Sequence, residues 1–282
     1  MSRADDILDI IATRKSTGEP FALATVVRTV AATAAKAGAK AVILPDGTIS
    51  EGWIGGGCAR AAVLRAAQDA LADGRSRLVS VQPPDVLADR GVKPGEEQEG
   101  VRFANNMCPS QGTMDIFVEP VLPRPQVVIC GSSPVAVADL ARRTGFAVIV
   151  CAPATEQGAF GDADRRIEGY ALPVEDAGAR YVVVSTQGRG DEAALLAALA
   201  VDADYVAFVG SRKKAEALRA TLAKRGVAAE RLAKLKAPAG LDLGAITPDE
   251  IAISILAEIV AVRRSKHSRE TCRAGDAVKT HS

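Results

Sequence analysis

Val127-Val128-Ile129-Cys130-Gly131-Ser132-Ser133-Pro134-Val135-Ala136 carries an unbroken apolar run into a glycine turn and then into helix-forming sequence. The unit repeats. Gly145 ends the first helix, Phe146-Ala147-Val148-Ile149-Val150-Cys151 reads as a second strand, and Tyr181-Val182-Val183-Val184 and Tyr205-Val206-Ala207-Phe208-Val209 follow, each leading into helical sequence. Strands apolar on both faces and alternating with helices predict a parallel, doubly wound α/β sheet.

The turn at Gly131 occupies the place of the Rossmann fingerprint G-x-G-x-x-G/A, between strand and helix as phosphate binding requires. The match is partial. Ser133 stands where a second glycine lets backbone approach a pyrophosphate, and Cys151-Ala152-Pro153 offers no acid for a ribose at the end of the second strand. Three readings stay open: a Rossmann-like scaffold, nucleotide binding with altered geometry through Gly131, Ser132 and Ser133, and hydride transfer from a nicotinamide. Two further turns open alike, Ser185-Thr186-Gln187-Gly188 after the third strand and Gly210-Ser211-Arg212-Lys213-Lys214 after the fourth. Strand C-termini gather at the ligand crevice of such sheets, so Thr186, Gly188, Gly210, Ser211 and Arg212 are candidates for holding phosphate. Lys213 and Lys214 read as a solvated helix face.

Upstream the chain differs in character. Residues 3–15 space Ile7, Leu8 and Ile11 as a helix does, and Phe21–Val27 reads as a buried strand, with Ala31–Lys40 a loop. Asp46-Gly47 between Ala41–Leu44 and Thr48–Trp53 predicts a hairpin. It delivers the chain into Gly55-Gly56-Gly57-Cys58, followed by Val63, Leu64, Ala67 and Leu71 at helical spacing and by Gly74 as a stop. This puts a thiol at a helix N-terminus, where the dipole favours a thiolate or a bound anion. Arg77–Val81 reads as a strand, residues 83–106 as a long loop able to act as a mobile cover, and Cys108 sits in a loop before the strand Thr113–Glu119. Glu119-Pro120-Val121-Leu122-Pro123-Arg124-Pro125 reads as a stiff linker, giving domains at 1–122 and 125–264 that flank a cleft, and a polar, disordered tail at 265–282.

Composition narrows the function. With 35 Lys+Arg against 34 Asp+Glu the chain has no electrostatic footprint for nucleic acid or a membrane surface, and no apolar run reaches membrane-spanning length. No signal peptide is read at its start, and a cytoplasmic protein is expected. The two histidines, His267 and His281, fall in the polar C-terminal stretch, which leaves the body without Ser-His-Asp, Cys-His or His-zinc apparatus. Five scattered cysteines form no C-x-x-C pair. Cys58 and Cys108 are therefore either inert thiols or a pair that handles sulfur, binds a soft metal such as Cu(I), or ligates a cofactor metal. Cys130 and Cys151 read as small core residues.

The order of these features resembles the XdhC/CoxI family of molybdenum-enzyme maturation factors. The resemblance runs through Gly55–Cys58, Cys108 to Thr113, the incomplete Rossmann turn, Val209-Gly210-Ser211-Arg212, and above all Ala237-Pro238-Ala239-Gly240-Leu241-Asp242-Leu243-Gly244-Ala245-Ile246-Thr247-Pro248-Asp249-Glu250. It implies an N-terminal α+β domain beside a Rossmann-like one, and an accessory chaperone rather than a turnover enzyme. Such a protein holds the molybdenum cofactor, in dinucleotide form, for a hydroxylase of the xanthine dehydrogenase type, or serves carbon monoxide dehydrogenase and its copper–sulfur–molybdenum site. The altered turn resembles a CoxF-like branch. Implied with it are an apo-hydroxylase client, a sulfur donor protein, a homodimer, and FAD or another nucleotide as an alternative ligand. Cys58 and Cys108 would carry sulfur, Cu(I) or the molybdenum ligand sphere, with Gly55, Gly56 and Gly57 beside them. The alternatives are an NAD(P)- or flavin-dependent oxidoreductase and a nucleotide-sensing protein without chemistry.

Overall fold

The structure is a computed structural model describing residues 4–109, 111–131, 135–172 and 178–279, with backbone alone at 4–6, Cys58 and 266–279. The chain divides into two compact units, Met1–Pro123 and Arg124–Ser282.

In the first unit, helix α1 (Ala4–Thr17) precedes strand β1 (Phe21–Val30), and the hairpin forms from β2 (Lys40–Ile43) and β3 (Ile49–Gly52). The Asp46 carboxylate accepts the Thr48 amide at 2.8 Å and fixes the turn. Helix α2 (Gly57–Asp73) ends where Gly74 takes a left-handed conformation and its amide caps the Ala70 carbonyl at 2.8 Å. Strand β4 (Arg77–Gln82) follows, then helix α3 (Pro84–Asp89), β5 (Glu97–Gln98), β6 (Val101–Asn105) and β7 (Thr113–Val121).

These strands build one mixed sheet in the order β3-β2-β1-β7-β4-β6-β5, with β6 parallel to β4. Helix α2 lays an alanine-rich face, Ala59, Ala62, Ala66 and Ala70 with Val63, on Val26, Val79, Ile116 and Val118 of that sheet. The small side chains bring helix and sheet close, and each fully buried Val or Ile contributes about 1.5–3 kcal/mol.

Two expectations for this unit are corrected. Residues 83–106 are not a structureless cover: Pro84 starts α3, and Leu87 and Val92 pack on Phe103 of β6. The proline-rich segment does not begin as a linker at Glu119, because β7 continues through Pro120, whose register partner is Ala22 of β1.

The second unit contains β8 (Gln126–Cys130), α4 (Val135–Arg143), β9 (Ala147–Ala152), a 3₁₀ turn at Ala154–Ala159, β10 (Arg165–Glu168), β11 (Arg180–Val184) and α5 (Asp191–Ala200). It continues with β12 (Tyr205–Phe208), α6 (Arg212–Lys224), α7 (Ala229–Ala233), β13 (Leu235–Lys236) and α8 (Pro248–Lys279). All six strands are parallel, in the order β10-β9-β8-β11-β12-β13. Counted from β8 this is 3-2-1-4-5-6, the doubly wound Rossmann arrangement. Alternation along the strands explains the two layers. Val127 and Ile129 face α4 and α8, whereas Val128 and Cys130 face α5 and α6.

The fold thus comprises a Rossmann-type α/β unit and a smaller N-terminal α+β unit. The last helix opens with the expected capping box: Glu250 accepts the Thr247 amide at 2.9 Å, and the Thr247 hydroxyl accepts the Glu250 amide at 3.3 Å. Helix α8 runs on to Lys279, into the stretch 265–282 that reads from sequence as a polar tail.

Candidate functional site

In the first unit, Gly55, Gly56 and Gly57 line a cavity of about 330 Å3 together with Thr33, Met107, Cys108 and Met114. The glycine turn and the second cysteine loop therefore meet. Gly56 is the N-cap of α2 and Cys58 the helix's second residue; the Cys58 side chain lies outside the described residues.

The Cys108 loop is held from both sides. Asn106 accepts the Cys108 amide at 3.0 Å through Oδ1 and donates to the Gly112 carbonyl at 2.6 Å through Nδ2, while Gln111 N–H donates to the Cys108 carbonyl at 3.0 Å. Cys108 is exposed at the rim of this tight turn, beside Met107, which is 70% exposed. Among the described residues no group of three or more His, Cys, Asp or Glu side chains gathers as a metal site.

In the second unit the expected phosphate ligands separate into two places. Gly131, at the end of β8, has φ +116°, and a Cβ there would lie 2.2 Å from the Ser185 carbonyl oxygen. The glycine thus serves close packing of the β8 and β11 turns. Ser132 and Ser133 lie outside the described residues.

Thr186 and Gly188 sit in that neighbouring turn, bound to Asp191 at the start of α5. The Thr186 hydroxyl and the Gly188 amide, the latter at 3.4 Å, both go to Asp191 Oδ1, and Lys214 Nζ lies 2.6 Å from Oδ2. Burial pushes the Asp191 carboxyl up, but hydrogen bonds from Lys214 and Thr186, with the Lys214 charge, outweigh it and hold the group below the usual carboxylate range. Lys213 is exposed as expected, whereas Lys214 is corrected from solvated face to structural cation, also lying 5.4 Å from the Phe208 ring centroid.

Gly210 and Arg212 line a larger cavity of about 650 Å3, at the carboxyl ends of β12 and β13. The Ser211 hydroxyl caps α6 by accepting the Lys214 amide at 3.3 Å. The cavity's other wall is the segment Lys236–Ala245 and the first turns of α8.

Glu258, 6% exposed, fixes that wall: it accepts the Tyr205 hydroxyl at 2.6 Å and the Gly240 amide at 2.9 Å, and its Oε1 lies 3.0 Å from Lys236 Nζ. Burial, then the hydrogen bond to Glu258 and its charge, push the Tyr205 phenol above its ordinary range. Gly240 is required where it stands. Its φ is +93°, and a Cβ would meet Ser254 Oγ at 2.3 Å.

Sequence reasoning missed Asp191, Tyr205, Lys236 and Glu258. A carboxylate set inside the apolar run Ser254-Ile255-Leu256-Ala257-Glu258-Ile259-Val260 was the available signal.

Residues 127–259 match the family model described as XdhC Rossmann domain, and residues 15–82 match that of the XdhC and CoxI family. The chain is 29% identical over 256 residues to "Uncharacterized protein YqeB" of Escherichia coli (strain K12), covering 87% of this chain and 44% of that protein. It is 27% identical over 165 residues to a probable xanthine dehydrogenase subunit of Bacillus subtilis (strain 168), covering 54% of this chain and 47% of the relative. The chain thus spans less than half the length of both curated relatives.

A crystal structure described as a xanthine dehydrogenase from Bacillus halodurans aligns over 92% of this chain and 96% of its own, with TM-score 0.44 and 20% identity. Among the described residues no helix is long and apolar enough to cross a membrane. A stretch similar to the XdhC and CoxI family model is thus followed in this chain by one similar to the XdhC Rossmann domain model.

Proposed function

We propose that this chain is an accessory maturation factor for a molybdenum hydroxylase of the xanthine dehydrogenase or carbon monoxide dehydrogenase type, working in the cytoplasm on the client's cofactor or its sulfur or copper ligands. The observation that carries the reading is the meeting of Gly55–Gly57 and Cys108 around one cavity, with Cys58 on the first turn of α2.

Neither histidine of the sequence lies in this unit, so the unit itself supplies no imidazole to act as general base for a thiol. What two thiols offer without a base is soft-ligand chemistry: holding Cu(I), a persulfide sulfur from a donor protein, or a molybdenum ligand sphere. The cavity suits that use because Gly55, Gly56 and Gly57 line it together with Met107 and Met114, leaving room for a cargo beside Cys108. The dinucleotide form of the molybdenum cofactor would bring phosphates as well, for which Arg212 and the Gly210 turn are the available groups.

The oxidoreductase alternative is less well supported, since β9 ends in Cys151-Ala152 and continues into Pro153 where an acid would bind a ribose, and the Thr186 hydroxyl is bound to Asp191. The test is client activity in cells that carry Cys58→Ser, Cys108→Ser or both. Loss of most client activity in the double variant supports the reading, and full activity overturns it.

A further inference from the structure

We propose that the ligand site of the Rossmann unit is the cavity outside β12 and β13, displaced from the glycine turn after β8, and that it takes a small phosphorylated heterocycle of the nucleoside monophosphate class. This goes beyond the maturation role and holds whatever cargo the thiols carry.

The described groups near the usual position are used by the protein itself. Gly131 is pressed on Ser185, the Thr186 hydroxyl and Gly188 amide are given to Asp191, and Lys214 neutralises that carboxylate. Tyr170, beyond β10, adds to the cover by donating its hydroxyl to the Arg189 carbonyl at 3.0 Å, its ring against Gly190.

The second cavity has the opposite character. Its volume, about 650 Å3, lies within the range of small-ligand sites. Lys236 is neutralised by Glu258, which leaves Arg212 as the cation at the rim; it is exposed and makes no ion pair among the described residues. Arg212 also opens the 13-residue helix α6, whose positive end favours an anion at the same place.

Facing it, Leu241 and Leu243 are 41% and 59% exposed and line the cavity with Val209, Pro238 and Ile251. Apolar side chains left in water beside a cation suit a flat ring joined to a phosphate, and the Asp242 carboxylate on the same wall can accept from ribose hydroxyls or ring N–H groups. The wall is preformed, because Glu258 holds Gly240, and the Ala239 amide donates to the Phe208 carbonyl at 3.0 Å. A ligand therefore meets a site whose ordering cost is already met by the fold.

The experiment is calorimetric titration of the full chain with AMP, alongside inorganic phosphate and the variants Arg212→Ala and Ala245→Trp. Arg212 is exposed, so its variant keeps the fold, and thermal melting checks both. AMP is expected to bind, inorganic phosphate to bind at least tenfold more weakly, and each variant to lose about tenfold or more in affinity, as for a lost charged hydrogen bond or a filled pocket. Absence of AMP binding at millimolar concentration overturns the assignment. So does phosphate binding as tight as AMP binding, or wild-type affinity in either variant. These results are independent of the client assay on Cys58 and Cys108, so each reading fails on its own.

Discussion

Lys214 Nζ and Asp191 Oδ2 stand 2.6 Å apart across the turn that follows β11, with the carboxylate side chain 9% exposed and the lysine side chain 41% exposed. The pair ties the turn after β11 to the first turn of α6, and it makes a structural cation of Lys214, which reads from sequence as part of a solvated helix face.

Replacing Lys214 by Ala should therefore destabilise the second unit by about 1–3 kcal/mol, the cost of leaving a mostly buried carboxylate without its cation, tempered by the partial exposure of the lysine. The folded Asp191 carboxyl is held below its ordinary value, so its contribution is complete above the unfolded value of about 3.9 and is lost as pH falls through the folded one. Urea unfolding of both proteins between pH 7 and pH 3 should show a gap that narrows below about pH 4. A gap that widens on acidification would contradict the pairing.

Gly131→Ala should destabilise by at least about 2 kcal/mol, combining a strained backbone conformation with a steric clash against a neighbouring turn. The Cβ would sit 2.2 Å from the Ser185 carbonyl oxygen and 2.9 Å from Thr186 Cα, both backbone atoms with no rotamer to move. Equilibrium denaturation checks this. Wild-type stability would mean that the β8 and β11 turns do not meet as described.

Glu258→Ala should cost about 2–3 kcal/mol because it strips the acceptor from the Tyr205 hydroxyl and the Gly240 amide, and Glu258→Gln, which keeps an acceptor, should cost less. In the wild type, the Tyr205 phenol should stay un-ionised by ultraviolet absorbance through the range where an exposed phenol titrates, since burial and Glu258 raise it. Equal losses in both variants would contradict the network.

Cys130 and Cys151 are register partners on neighbouring parallel strands, both fully buried thiols, and the hydrogen bond to Cys151 together with burial holds the Cys130 thiol well above its ordinary range. Brief iodoacetamide labelling of the native chain, read by peptide mass spectrometry, should modify the exposed Cys108 and spare these two until denaturant is added. Rapid native labelling of Cys130 would contradict its place in the core.

The legible parts of the fold were those with local signals: the Asp46-Gly47 hairpin, the Gly74 stop, the Thr247–Glu250 capping box, and apolar strands such as Tyr181–Val184. What escaped depends on distant partners. Strand β6 forms because Val101–Asn105 finds β4 in parallel register, and β10, the charged Arg165–Glu168, is a strand only by pairing with β9 at the sheet edge. Pro120 looked like a linker residue yet sits in β7 opposite Ala22.

The site was legible to the same degree. Gly55–Gly57 and Cys108 read as a pair of loops from residue chemistry, and they line one cavity. Lys214 and Glu258 were opaque, because a lone charge in sequence does not show which buried partner it meets.

The most direct measurement of the central claim is elemental and cofactor analysis of the chain purified alongside its hydroxylase client, as wild type and as the Cys58→Ser, Cys108→Ser double variant. The account predicts molybdenum, copper or labile sulfur on the wild-type chain and its loss from the double variant, with a client deficient in the same element. Equal loading of client and chain in both samples would contradict it.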